Sequence, residues 1–600
     1  MGSTNWLNKN KKWEVLHRRP ITNHGTQSII DILLKNRGIK TKNEKDEFFK
    51  PTPPEKISLK KLGIKTTEVN KAIKRLSDAR KKKEKVIVFG DYDADGICAT
   101  AILWECLYGL GLDVLPYIPE RFSEGYGLKE ESVETLREKY KNLGLIITVD
   151  NGIVANEAVE AANKLGIDVI ITDHHLPRTN TPRERKRHSG IPHVVSHSSR
   201  RKANSVRGQE DYPKAHSIIH TTEIGGAGIA WIFAREILKK LEIGNWKLEI
   251  RKGLGLCAIG TISDQLPLVG PNRSFAKYGL EVLNKTDRVG LHALFREARI
   301  KPGNIGTYEV NFVIAPRINA MGRLEHAIES LRLLCTKSED RAIDLSYLLG
   351  KTNTKRRKIV EDVVAHATRS VEKLAAGQEG NGVIVLCHES YHEGVIGLAA
   401  SRLVERFYRP AIVISRGKTH SKASARSISG FNIIETLRKL DDMMIDGGGH
   451  PMAAGFTVEN SVLKKFIEKL DKISKPLLTD DILTKKLKVD LGLNFRSLNL
   501  KLAEAVKKFE PTGIGNPTPS FITQNVTILN ARTVGIGGKH LKLTLEHNDK
   551  VFDAIAFGFG DLYIKLQPET SMDVVYRLEE NIWNGKKNLE LKIKDIKLNH

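Results

Sequence analysis

The sequence predicts an α/β protein: a doubly wound parallel sheet, then a second, smaller α/β unit, then a C-terminal β-barrel. Three observations predict it. Apolar runs at residues 86–89, 143–149 and 168–172 lack polar alternation, as strands covered on both faces do. Strand-and-helix alternation resumes at 383–386 and 412–415, punctuated by Gly382 and Gly394. From Lys486 onward, short alternating runs (VTILNARTV, HLKLTLEH, VFDAIAFGF, LELKIKDI) are separated by Gly, Asn and Asp turns.

Residues 1–85 read as mainly helical. TQSIIDILLKNR (26–37) has helical periodicity and stops at Gly38, and the helix over 67–85 ends in the basic run KKKEK. Residues 86–89 form the first buried strand. The chain turns at Gly90 and presents Asp91, Asp93 and Asp95 before an apolar helical pattern begins. A short strand at 114–118 leads to Pro119-Glu120-Arg121. The strand at 143–149 ends in Asp150-Asn151-Gly152, and that at 168–172 ends in Asp173-His174-His175. Open α/β sheets bind ligands at this strand edge.

An Asp after a strand is most often a helix N-cap. Three such turns together say more. Clustered carboxylates repel one another and raise their own pKa values, and a divalent cation removes that cost. Carboxylate and imidazole donors without thiolates suit Mn²⁺, Mg²⁺ or Fe²⁺. A bridging carboxylate such as Asp150 can hold two ions, which can drive in-line displacement at phosphorus.

Composition narrows the partners. The chain has 600 residues and a formal net charge of +25, which favours polyanions through counterion release. Five scattered cysteines without a CxxC pattern read as reduced thiols of a cytoplasmic protein. No apolar run of membrane-spanning length or secretory type is present, so no membrane association is expected.

The stretches GDYDADG, TVDNG and TDHH, in this order, resemble the DHH phosphoesterase superfamily. AIGTISDQLPLVGPNR, with Asp264, resembles its fourth motif, and APRINAMGRLEHA its substrate-binding segment. YHEGVIGLAASRL, SARS, GFNI and GGGHPMAAGF resemble the DHH-associated domain. KWEVLHRRP, LLKNRGI, GIGNPTP and NIWNGKKNLELKIKDI place the likeness in the long RecJ branch, which ends in an OB domain.

The resemblance implies five domains or segments: an N-terminal region (1–85), a DHH catalytic domain (86–335), a connecting helix (336–376), a DHH-associated domain (377–480) and an OB-like nucleic-acid-binding domain (481–600). It implies Asp91, Asp93, Asp150, His174 and Asp264 as ligands of two ions, Mn²⁺ or Mg²⁺, with Asp95 as a further ligand or beside the ligands. Other branches carry a ligand His where this chain has Ile87. His175 would contact the scissile phosphate. Arg317, Asn319 and Arg323 would meet substrate phosphates, and Asn353, Arg356 and Arg357 would line the cleft. Arg426 and His450 would hold a terminal or near-scissile phosphate, with backbone N–H groups at Gly448 and Gly449 forming an anion nest. Lys539, His540 and Lys542 are candidate groove cations of the OB domain, and Phe557, Phe559 and Trp583 are candidate stacking aromatics, with core packing the alternative for each.

Residues 176–222 depart from the branch pattern. They are rich in Arg, Lys, Ser and His and read as a mobile basic loop, either a DNA contact or an inert insertion. His193/His197 and His216/His220 have metal-ligand spacing without an evident third ligand. The expected activity is single-stranded-DNA-specific 5′→3′ exonucleolysis releasing 5′-mononucleotides, in recombination and repair, with single-strand-binding protein and a helicase as partners. The alternatives are a phosphodiesterase of short oligonucleotides or cyclic dinucleotides, and a non-catalytic DNA-binding scaffold.

Overall fold

The computed structural model describes residues 11–18, 25–179, 210–375, 382–566, 570–583 and 586–599. Contacts divide the chain into two units. The larger takes in 52–267 and 271–484; the smaller takes in 10–51, 268–270 and 485–600.

The larger unit opens with a five-stranded sheet that is parallel throughout. Its strands are Lys85–Phe89, Val114–Tyr117, Leu143–Val149, Asp168–Asp173 and Ser217–His220. In chain order their arrangement is 2-1-3-4-5. That order reverses direction between the first and third strands, and the crevice at such a switch point is where ligands bind. On one face, Ile87, Phe89, Ile146 and Val169 pack against Val133, Leu136, Val159 and Ala162 of the helices Glu130–Lys139 and Asn156–Lys164. On the other lie Ala94–Gly109 and Gly226–Lys240. Ala94–Gly109 is buried on all sides over its first ten residues, which is why its sequence lacks a polar stripe. The 217–220 strand corrects the expectation of a loop reaching Thr222: Ser217 and Ile219 are buried, and the strand pairs with Asp168–Asp173. His193 and His197 lie outside the described residues.

Arg235, on Gly226–Lys240, is 1% exposed. Its Nη1 donates to the carbonyls of Pro54 (2.9 Å) and Ile57 (2.7 Å), and its Nη2 meets Glu236 (2.6 Å). It fastens residues 54–57, which precede the helix Thr66–Lys82, to the domain. Arg235→Met would strand two buried carbonyls, so unfolding in urea should show a loss of about 3 kcal/mol.

Ile328–Cys335 and the 37-residue helix Glu339–Ala375 follow. The latter is about 55 Å long at 1.5 Å per residue. The second sheet has the order Asp446–His450, Ala453–Glu459, His420–Arg426, Ala411–Arg416, Ile384–His388, with only the last pair parallel.

In the smaller unit, Phe521–Val534, His540–His547, Lys550–Ala556, Lys586–Leu598 and Ser571–Trp583 pair in that order, and the last returns to the first. This closes a five-stranded barrel in the strand order 1-2-3-5-4-1. Phe521, Val526, Leu543, Ala554, Tyr576 and Leu591 fill its core. Closure leaves no free edge among these five. The reading of 1–85 as mainly helical needs one correction: Lys12–His17 (KWEVLH) is a strand, parallel to Lys486–Gly492.

Candidate metal and phosphate site

The donors come from strand ends at the switch point. After Lys85–Phe89 the chain turns over Asp91. Asp93 caps the helix Ala94–Gly109, its Oδ1 accepting from the N–H groups of Asp95 (2.9 Å) and Gly96 (3.0 Å). Gly96 is required here, since a Cβ would stand 2.6 Å from the Cβ of Asp91. Asp150, after Leu143–Val149, has φ 64°, a left-handed conformation that Asp and Asn tolerate. Asn151 Nδ2 donates to the carbonyls of Val149 (2.9 Å) and Phe89 (3.3 Å), tying the two central strands together beside the site.

These turns converge. Donor atoms of Asp91, Asp93 and Asp150 lie within 4.8 Å of one another, as do those of Asp95, His174 and Asp264, and those of Asp150, His174 and His175. His174 Nε2 stands 3.0 Å from Asp150 Oδ1 and 3.8 Å from Asp264 Oδ2. Asp264 arrives from the C-cap of the helix Leu254–Ser263.

Asp95 is engaged differently. Its Oδ2 accepts from the N–H of Gly226 (2.7 Å) and its Oδ1 from that of Ala227 (3.0 Å), at the positive end of Gly226–Lys240. The carboxylate thus anchors that helix beside Asp150.

The residues fit divalent ions. Burial and then Asp93 push Asp91 well above the usual carboxylate range; burial and then Asp95 do the same for Asp150. At Asp264, burial and the neighbouring carboxylates outweigh His174. Asp264 Oδ2 is buried and accepts no hydrogen bond among the described residues. A compact group of oxygen and imidazole donors, short of positive charge, suits Mg²⁺ or Mn²⁺.

Asp173, absent from the expected site residues, supports the histidines. Its carboxylate accepts from the N–H groups of Ile153 (2.9 Å), His174 (2.7 Å) and His175 (3.1 Å), and lies 2.7 Å from His175 Nδ1. Burial alone would raise its pKa; His175, His174 and the Ile153 N–H outweigh it and hold the group well below the usual range. The sequence signal was an acid directly before two histidines. Tyr126, whose hydroxyl donates to the Asp150 carbonyl (2.9 Å), carried no signal beyond its place in a Gly-flanked turn.

A cationic group faces the acids. Gly322 lets the helix Ala315–Leu324 lie against the Tyr92 carbonyl, where a Cβ would come within 2.7 Å. Arg323 follows, donating to the Gly394 carbonyl (3.1 Å). Its pKa is lowered by burial, then by Arg121, Arg356 and Arg426. The guanidinium of Arg121, a residue the sequence reading passed over, is centred 4.8 Å from the Tyr92 ring. Arg426 is lowered by burial and then by Arg121, and donates to Ser424 Oγ (3.0 Å) and the Ala425 carbonyl (2.8 Å). Asn319 and Asn353 each keep a buried Oδ1 without a hydrogen bond among the described residues. Guanidiniums that lower one another's pKa concentrate positive charge that suits an anion such as phosphate.

Other expected residues are placed differently. Arg317 is paired with Glu297 (2.6 Å), and Arg357 is exposed on the long helix. Gly448, Gly449 and His450 do not form a nest. They lie in the strand Asp446–His450, paired with Gly455, Ala454 and Ala453 of the neighbouring strand. In the barrel, Lys542 is paired with Glu590, and Phe559 packs against the core. Lys539 and Phe557 are exposed, and His540 is half-buried. The Trp583 side chain lies outside the described residues. His216 sits 3.6 Å from Asp168 Oδ1, and His220 Nε2 lies 2.7 Å from the His175 carbonyl oxygen, so these two histidines do not share a metal group.

A 2-1-3-4-5 parallel sheet with acids and a His pair at its switch point, a second α/β lobe and a five-stranded barrel define a metal-dependent phosphoesterase of the DHH type. Family models for the DHH family, N-terminal domain, the DHHA1 domain and the RecJ OB domain match residues 85–199, 380–475 and 489–595. The single-stranded-DNA-specific exonuclease RecJ of Salmonella typhimurium is 30% identical over 545 residues, 88% of this chain and 90% of that protein. RecJ of Bacillus subtilis is 34% identical over 530 residues, and the match spans 88% of this chain and 63% of that protein. The crystal structure of RecJ from Thermus thermophilus in complex with Mn²⁺ has a TM-score of 0.76 at 27% identity, covering 98% of this chain and 79% of that one. Its Mg²⁺ complex gives 0.71, also at 27% identity, covering 98% and 78%. The chain belongs to the RecJ family of single-stranded-DNA-specific exonucleases. Among the described residues, no helix is long and apolar enough to cross a membrane.

Proposed function

We propose that this chain degrades single-stranded DNA from its 5′ end, releasing 5′-mononucleotides by two-metal hydrolysis in recombination and repair. One observation carries the reading: Asp150 shares a donor group with Asp91 and Asp93, and its Oδ1 stands 3.0 Å from His174 Nε2, which belongs to a second donor group with Asp95 and Asp264. Asp91, Asp93, Asp150, His174 and Asp264 would hold two ions, Mn²⁺ or Mg²⁺. Such ions supply an acidified water and offset charge at phosphorus. The RecJ structures solved with Mn²⁺ and Mg²⁺ support this cofactor class.

The chain's own residues do the rest. Arg323, Arg426 and Arg121 would receive the strand's phosphate oxygens. Asp173 would accept a hydrogen bond from His175 Nδ1–H and so orient the ring, leaving its Nε2 edge for the scissile phosphate. Asp95 keeps Gly226–Lys240 against Asp150. Family membership supports the proposed 5′→3′ polarity, cytoplasmic location, and association with single-strand-binding protein and a helicase. The +25 charge supports a polyanionic substrate.

The test is Mn²⁺-dependent digestion of 5′-labelled and 3′-labelled single strands beside a blunt duplex. Early release of the 5′ label as mononucleotide, with the duplex spared, is expected; early release of the 3′ label would reverse the polarity. Asp173→Asn should lower kcat by about 10²-fold or more, because the amide no longer fixes the His175 tautomer. Steady-state kinetics on a single strand would show it, with KM little changed.

A further inference from the structure

We infer that Tyr308 and Phe312 form a base-stacking platform that holds the single strand several nucleotides from the scissile bond. The inference rests on the proposed nuclease reading. Tyr308 and Phe312 are each 65% exposed. Their ring centroids are 5.0 Å apart at 36°. They lie one turn apart, in Thr307–Glu309 and the π-helical turn Val310–Ile314, which run directly into Ala315–Leu324. Val310 and Ile314, on the opposite side, are fully buried, so the register is fixed and the two rings are held outward.

The same helical rod carries Arg323 at its far end. From Arg323 back to Phe312 is about 16 Å, and to Tyr308 about 22 Å, at 1.5 Å per residue. A strand rising about 3.4 Å per nucleotide when stacked, and more when extended, crosses the shorter span in roughly three to five nucleotides. Between these points lies Arg317, whose Nη1 donates to the Val313 carbonyl beside Phe312 (2.9 Å). The local charge agrees. Residues 301–324 contain Lys301, Arg317 and Arg323 against Glu309, which is folded back onto the Gly306 N–H (2.8 Å); Glu297 pairs with Arg317 (2.6 Å), so the cationic balance rests on Lys301 and Arg323. Paired aromatic faces beside cations suit bases and phosphates; stacking on such faces is tolerant of sequence, as a processive nuclease requires.

The test compares the full-length protein with Y308A/F312A and with the conservative Y308F/F312Y. Turnover is measured with Mn²⁺ on a trinucleotide and on a 20-nucleotide strand, and 5-iodouracil placed three to six nucleotides from the 5′ end is photocrosslinked to the protein. The wild type should favour the long strand. The alanine pair should reduce that preference about tenfold or more and abolish the crosslink, while the conservative pair keeps both. An unchanged length preference without a crosslink at either ring would overturn the platform and leave the patch as a protein-docking face. An equal loss on both lengths would overturn it as well, and would assign the rings to support of the active site. Absence of nuclease activity in the wild type on any strand would instead refute the proposed function, a result read before the variants are compared.

Discussion

Asp150→Asn should abolish Mn²⁺-dependent nuclease activity, by at least about 10³-fold, while the fold survives. The expected loss follows from Asp150's position between two donor groups: without its charge one group loses a member and the other a neighbouring carboxylate. Removing even several kcal/mol of charge stabilisation at phosphorus corresponds to three decades of rate. Asn is the informative substitution. It accepts φ 64°, which Ala would resist, so backbone strain does not confuse the outcome. It also removes one of several buried like charges that raise one another's pKa values, so the metal-free protein should melt no lower than the wild type. The second measurement needs no substrate. Mn²⁺ should raise the wild-type Tm by linkage, and that rise should disappear in the variant. An Asp150→Asn protein that kept the full Mn²⁺ shift would show that the ion sits elsewhere.

Much of this was legible in the sequence because two signals coincide. Buried strands announce themselves as unbroken apolar runs, and each ends in a short polar turn that carries the donors. That placed Asp91, Asp93, Asp150 and His174 at one sheet edge before any coordinates, and Asp264 came through motif resemblance. What was missed depends on contacts between distant segments. Asp173 looked like part of a His motif, and its grip on the Ile153 N–H is a tertiary fact. Arg121 is one cation among many in a +25 chain, and only its approach to Arg323 and Arg426 singles it out. Gly448 and Gly449 suggested an anion nest of backbone N–H groups. Pairing explains them instead: at Gly449 a Cβ would fall 2.3 Å from the Ala453 carbonyl oxygen, so glycine there allows close strand approach. The strand Lys12–His17 was hidden because its partner lies more than 460 residues away, beyond the reach of local pattern.

Gly226→Ala and Gly260→Ala should each cost about 10²-fold or more in kcat/KM, although neither glycine bears a functional group. A Cβ at Gly226 would stand 2.4 Å from Asp150 Oδ1, and one at Gly260 would stand 2.1 Å from Asp95 Oδ1 and 2.7 Å from Ala227 Cβ. Contacts that short force something to move. The backbone at both sites is helical and locked by its neighbours, so the carboxylates must yield. Displacing Asp95 also breaks its hydrogen bonds to the Gly226 and Ala227 N–H groups, freeing the helix end that flanks Asp150. A misplacement of about 1 Å in such a constellation is worth roughly two decades in rate. Gly109→Ala is the control. It lies in a helix with nothing within 4 Å of its Cβ position and no positive φ, so alanine there should be neutral or stabilise by up to about 1 kcal/mol. If Gly226→Ala and Gly260→Ala behaved like Gly109→Ala in both activity and Mn²⁺-induced Tm shift, the acids would not need the tight packing that holds them, and the link from helix N-terminus to donor geometry would be lost.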